Sequence, residues 1–431
     1  MGRITAKIKG NEFFRNNATL FIGSLLVAFL NYLYYPVLGR LLSVEQFGEV
    51  QVLLSFLTQL SVILTAFGLL TTNVVVNEEK DKANRIVTEL SRAALYVSFG
   101  LLVVIRLAAL PLQQALKFSS WVPFVLLGVA FIVGAILTFQ GGYLRAKKDF
   151  LATSIQGIVG SLAKIVLSGA FVLIGFQTAG ALGGFVVAQL LTLLYTSYQV
   201  RKRGFEKQAT SSNKVDWALI RPHIPYVLFA FTTTMVMTLF YSFDAVLVKY
   251  LFSPEVAGQY AGISTMARVV LFLTGSFGVV LMSSVKLDAS TKANAKQLIK
   301  ALTITIGMGG IAAIIFALFP SFMTHLLFGT RYDALSYLLP YLSFSMLFVS
   351  VSMLLSNYHV ALRQYWVLAY IAVCVVIVTV LLALNHATVE AVVQSIFYGS
   401  ASLLLALVAW TMYTILPALK STGIDHGNAD S

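Results

Sequence analysis

The sequence predicts an all-α polytopic membrane protein: about twelve transmembrane helices in two six-helix bundles around a central cavity, N-in and C-in. Three observations predict it. Of the 431 residues, 58% are hydrophobic and 11% charged, where a soluble domain carries about 25% charged residues. Apolar runs long enough to cross a ~30 Å hydrocarbon core recur along the whole chain. The basic residues concentrate on alternate connections between those runs.

The runs fall at 17–39, 48–74, 91–112, 121–144, 151–175, 180–200, 222–250, 258–284, 298–320, 337–360, 364–385 and 390–416. Only "FQTAG" separates the fifth from the sixth. The first is followed by no small-residue cleavage site of the A-x-A kind, so it reads as a retained helix and not a signal peptide. These runs give an N-terminal bundle over 1–200, a basic cytoplasmic linker over 201–221, a C-terminal bundle over 222–416 and a cytoplasmic tail over 417–431.

Orientation follows from charge. With the N-terminus inside, 23 of the 30 lysines and arginines lie on the inner side. Only Arg40, Lys117, Lys249 and Arg331 lie outside, and Arg106, Lys164 and Arg268 lie within spans. Positive-inside bias of this kind sets helix orientation. It also accounts for the net charge of +13 without a nucleic-acid partner. Cys374, the one cysteine, lies in an apolar run and can form no intrachain disulfide.

The first and seventh helices end alike. "VLGRLLSVEQFGEV" (37–50) matches "VLVKYLFSPEVAGQY" (246–260) with one inserted residue, pairing Arg40 with Lys249, Glu45 with Glu255 and Gly48 with Gly258. A weaker echo aligns Lys147 with Arg363. An offset of half the chain implies a duplication of six plus six helices. The two halves then share one orientation, related by an axis along the membrane normal.

Charges within spans are costly and mark function or pairing. Lys164, in "GIVGSLAKIVLSGAFVLIG", sits near the midplane on a small polar face with Gly157, Ser161 and Ser168. It either lines a water-filled cavity or bonds to carbonyls at a helix contact. Arg268 shares a face with Tyr260 and Ser264. Arg106 either faces the cavity or snorkels to the outer interface. Asp244 is read as the one acidic residue in a span; it pairs with Lys249 or Arg268, or carries a coupling ion. Asn31, Gln59, Gln140 and Gln189 add neutral polar groups. Three cations against one carboxylate favour anions, and phosphate above all. A phosphate met at bilayer depth belongs to a lipid-linked substrate.

Catalytic patterns are not found. The sequence has no P-loop, no serine elbow and no histidine or cysteine cluster with metal spacing, and its five histidines are scattered. The outer connections are short. The reading is no enzyme, no cofactor and no metal.

Three segments carry a family likeness: "GRLLSVEQFGEVQ" (39–51), "SFDAVLVKYLFSPEVAGQYAG" (242–262) and "HLLFGTRYDALSYLL" (325–339). With the twelve-helix layout, they resemble the polysaccharide-transporter family of flippases in the multidrug/oligosaccharidyl-lipid/polysaccharide exporter superfamily. The resemblance implies a multi-pass protein of the cytoplasmic membrane. It would move a polyprenyl-pyrophosphate-linked oligosaccharide from inner to outer leaflet by alternating access, for cell-surface polysaccharide such as O-antigen. Membrane lipids and other polysaccharide-assembly proteins would be its partners. Lys164, Arg268 and Arg106 would then receive the pyrophosphate or acidic sugars, and Arg40, Glu45, Gly48, Lys249, Glu255 and Gly258 would be gate or hinge elements.

A cation-coupled multidrug exporter of the same superfamily is the nearest alternative, and Asp244 beside three cations fits it poorly. A lipid-linked peptidoglycan-precursor flippase usually carries fourteen spans. An integral glycan polymerase or ligase would need larger outer loops.

Overall fold

The computed structural model describes residues 23, 25–147, 149–204, 216–285, 290–362, 364 and 366–424. Of the inner-side cations, Arg3, Lys7, Lys9, Arg15, Lys148, Lys207, Lys214, Lys286 and Arg363 lie outside the described residues, as do most of the linker and residues 425–431. The described chain is helical, with no strand. It divides into two compact units, Met1–Met235 and Val236–Ser431.

In the first unit the chain runs through α1 (Leu25–Leu41), α2 (Val44–Asn77), α3 (Lys80–Ala115), α4 (Val122–Ala146), α5 (Phe150–Phe171), α6 (Gln177–Lys202) and the short α7 (Trp217–Ile220). Helix α4 packs against α2, α3, α5 and α6 and forms the centre. At one end Leu70, Val74, Ile86, Val87, Leu90 and Phe139 close a core that also takes Ile220 from α7.

The second unit contains α8 (Ile224–Ser242), which begins before the division, α9 (Asp244–Leu251), α10 (Pro254–Ser284), α11 (Thr291–Leu318), α12 (Pro320–Leu327), a 3-10 segment (Thr330–Leu338), α13 (Leu339–Ala361), α14 (Val367–Leu384) and α15 (Val389–Ile424). Here α13 is central, packed on α10, α11 and α15. Eight helical stretches among the described residues are long and apolar enough to cross a membrane, with Leu25–Leu41 and Ala369–Leu382 as shorter apolar helices.

One of the eight, Leu151–Lys202, is broken in its middle. A wide turn over Val172–Phe176 contains Gly175 at φ +103°, a conformation that glycine adopts freely. Past it α6 folds back on α5. Ser168 donates to the Ala181 carbonyl at 2.8 Å, and Gly184 lets the two backbones meet. The break begins four residues before "FQTAG", whose last four residues already belong to α6.

The repeated segment has one geometry in both copies. Helices end at Leu41 and Leu251, then Ser43 and Ser253 cap the next helices by accepting from Gln46 N at 3.2 Å and Val256 N at 3.4 Å. Ser43 and Gln46 complete a reciprocal capping box. Each following helix places an acid, Glu45 or Glu255, in its first turn, where the helix dipole favours it. Helix ends and caps lie 210 residues apart throughout. The one-residue insertion is therefore corrected: Lys249 corresponds to Gly39, both buried, and Arg40 to Tyr250, both exposed. Matching charge to charge had shifted the helix phase by one residue, about 100° of rotation.

Close packing at the α5–α6 turn sets a test. A methyl on Gly184 would lie 2.3 Å from the Ser168 backbone nitrogen, whereas one on Gly310 meets nothing within 4 Å. Overpacking costs about 1–3 kcal/mol. Gly184→Ala is expected to lower the thermal unfolding midpoint of the detergent-purified protein by several degrees, and Gly310→Ala to leave it in place.

Candidate functional site

Lys164 projects from α5 toward α1 and α6. Its Nζ donates to Asn31 Oδ1 at 2.6 Å and lies 4.4 Å from the centre of the Tyr34 ring and 6.0 Å from that of Phe185. Asn31 is held by its own amide nitrogen, which donates to the Val27 carbonyl at 3.0 Å. Tyr34 is buried, at 1% exposure, with its ring edge-on to Tyr35. Lys164 itself is half-buried. Its described partners are thus one neutral oxygen and two aromatic faces. None cancels the charge, although ring quadrupoles attract it. Asn31 and Tyr34 share a face of α1 one turn apart. Asn31 was legible as a polar residue in a span; Tyr34 and Phe185 carried no signal.

In the second unit the charges are matched. Asp244 opens α9 immediately after the break at Phe243. Its Oδ1 accepts from Arg268 Nη2 at 2.7 Å, and its Oδ2 accepts from Tyr260 Oη at 2.9 Å and Ser264 Oγ at 2.6 Å. The three donors stand four residues apart on one stripe of α10, as the sequence spacing had placed them. Asp244 and Arg268 are 5% and 8% exposed, so the pair is desolvated. Lys249, the other partner considered for Asp244, is fully buried on α9.

Arg106 is on the exposed side of α3, with its guanidinium carbon 4.5 Å from the centre of the Trp121 ring at the start of α4. Arg40, Glu45 and Glu255 are exposed and Gly48 and Gly258 buried, all beside the two capped turns. The structure therefore brings Arg268 and Asp244 together, and places Lys164 and Arg106 at separate points of the first unit.

Asp244 is not the only buried carboxylate along the apolar segments, which corrects the sequence reading. Glu49 in α2 is 3% exposed and Glu89 in α3 is 1% exposed. Glu49 lies inside the 48–74 run itself, and Glu89 lies just before the 91–112 run, in a helix that already begins at Lys80. Glu49 accepts from Ser119 N at 2.6 Å, Ser119 Oγ at 3.0 Å and Thr178 Oγ1 at 2.6 Å. It ties α2 to the α3–α4 connection and to the start of α6. Glu89 pairs with Arg92 at 3.3 Å and accepts from Asp216 N at 3.1 Å. No group of three or more histidine, cysteine, aspartate or glutamate side chains is placed to hold a metal among the described residues.

Removing one member of a buried ion pair strands the other, at a cost of about 3–5 kcal/mol, whereas replacing both by apolar groups is often neutral. Asp244→Leu and Arg268→Met are each expected to destabilise the protein strongly in thermal unfolding. The double variant is expected to recover most of the loss.

The polysaccharide biosynthesis protein family matches this sequence over residues 13–285. No curated protein matches it. Among solved structures the chain is similar to a multidrug resistance MATE family transporter of the MOP superfamily in its inward-facing conformation. Identity there is 15% and the TM-score 0.70, over 93% of this chain and 99% of that one. The outward-facing conformation gives 15% and 0.65 over 94% and 96%. The lipid II flippase MurJ, inward closed, gives 12% and 0.68 over 92% and 87%. The fold is that of MOP-superfamily transporters. With eight spanning-length helical stretches and a family match over more than half its length, this multi-pass membrane protein belongs to the polysaccharide biosynthesis protein family.

Proposed function

We propose that the protein is a flippase that carries a polyprenyl-pyrophosphate-linked oligosaccharide from the inner to the outer leaflet of the cytoplasmic membrane, by alternating access. The substrate would serve cell-surface polysaccharide such as O-antigen, passed on to other assembly proteins. In this reading twelve helices span the bilayer with both termini inside.

One observation carries the reading: Lys164 is a half-buried cation in mid-span with only neutral described partners. A lysine is a point charge suited to phosphate. When empty, the ammonium rests on the Asn31 amide and the Tyr34 ring. A pyrophosphate oxygen offers a stronger, charge-assisted bond, and the aromatic walls limit competition from water. Arg268, already neutralised by Asp244, acts as the internal tie between α9 and α10, and Asp244 as its partner rather than a carrier of ions. Arg106 with Trp121 anchors the outer interface, where tryptophan is favoured. The turns at Arg40–Gly48 and Lys249–Gly258 serve as the hinge elements. The family match supports the polysaccharide setting, and the similarity to a lipid II flippase supports a lipid-linked cargo.

Ligand-dependent thermal stabilisation tests it, with wild type beside Lys164→Gln. A polyprenyl-pyrophosphate oligosaccharide is expected to stabilise wild type, and its affinity to fall about tenfold or more in the variant, as for loss of one charged hydrogen bond. Stabilisation by a cationic drug alone would overturn the reading in favour of a multidrug exporter.

A further inference from the structure

Arg145, counted above among inner-side cations, behaves unlike an arginine that merely marks the end of a helix. It lies in the last turn of α4. An interfacial arginine at that place extends outward to water. This one folds back along its own helix. A methyl on Gly141, one turn earlier, would lie 3.5 Å from Arg145 Nη1, and a methyl on Gly68 of α2 would lie 3.4 Å from Nη2. The two glycines form a floor on which the guanidinium rests. The same point above Gly141 lies 3.5 Å from Gln156 Nε2 and 3.6 Å from its Oε1, so the amide of α5 flanks the guanidinium.

The guanidinium keeps its donors open. Arg145 makes no hydrogen bond or ion pair among the described residues, and its side chain remains accessible. Two charged residues that follow it in sequence are otherwise engaged. Asp149 caps α5, accepting from Ala152 N at 2.9 Å, and pairs with Arg203. Lys147 lies 5.5 Å from the centre of the Tyr143 ring. Gln156 and Lys164 stand eight residues apart on α5, about 12 Å along the axis.

We propose that Arg145 and Gln156, over Gly68 and Gly141, form a second phosphate-binding station, the one a phosphate-bearing lipid meets before Lys164. The inference rests on the flippase reading for its direction of travel. Its chemistry is that of an open planar fork of donors, which binds phosphate in a bidentate manner, with an amide that can donate beside it. The phosphate is that of a lipid-linked substrate or of a membrane phospholipid.

Native mass spectrometry of the full chain in detergent separates these sources, with geranylgeranyl pyrophosphate, phosphatidylglycerol and geranylgeraniol as probes. Arg145→Gln is expected to weaken binding of the pyrophosphate lipid about tenfold, with phosphatidylglycerol and the uncharged alcohol unaffected. Arg145→Lys should weaken it less, because charge remains without the fork. Gln156→Leu should weaken it severalfold and supplies the test if Arg145→Gln does not fold. Unchanged pyrophosphate binding in Arg145→Gln, with Lys164→Gln defective, would overturn the station and leave the flippase reading standing. The reverse pattern would support the station and overturn the role of Lys164. Loss confined to phosphatidylglycerol would overturn the substrate station and make Arg145 a head-group contact.

Discussion

A charge in hydrocarbon cannot be hydrated, so each one in this chain must be answered by another part of the protein. That constraint organises both units. In the second, Asp244 draws Arg268, Tyr260 and Ser264 onto one stripe of α10 and fixes the helix that resumes after the break at Phe243. In the first, Glu49 draws in donors from the α3–α4 connection and from the start of α6 and ties α2 to them. Carboxylates are satisfied by fixed protein donors. Lys164 is answered only by an amide oxygen and aromatic faces, and the proposed flippase reading gives its charge to the substrate phosphate.

The same constraint separates cations that composition alone treats as equal. Arg268 is spent in a desolvated pair, which structure around it makes costly to break. Arg106 lies on a tryptophan at an exposed face. Lys164 and Arg145 remain without a described acidic partner, both in the first unit and both bordering α5. The first unit thus holds closed charges, such as Glu89 with Arg92 and Asp149 with Arg203, beside these two cations.

Much of the fold was legible in the sequence because its signals are local. Apolar runs fall on the eight stretches long enough to span, and the repeated segment falls on two turns of like geometry. The stripe of Tyr260, Ser264 and Arg268 was also legible, since spacing of four residues defines a face. What was not legible depends on distant partners. Asn31 meets Lys164 from 133 positions away and Thr178 meets Glu49 from 129; no periodicity within one helix reports such pairs. The repeat register failed for a related reason. Arg40 and Lys249 share a charge, but helix phase, set by the caps, places Arg40 opposite Tyr250. Glu89 was missed because a hydropathy window stops where a helix becomes polar, and the helix does not; Glu49 was legible, since it lies inside the 48–74 run.

The most direct measurement is translocation in proteoliposomes. A fluorescent polyprenyl-pyrophosphate disaccharide would be placed in one leaflet and its appearance in the other followed. Wild-type protein is expected to accelerate transfer, Lys164→Gln to fall close to the protein-free rate, and a cationic dye to remain untransported. Equal transfer by Lys164→Gln and wild type, or transport of the dye instead of the lipid, would contradict a lysine-centred anion flippase.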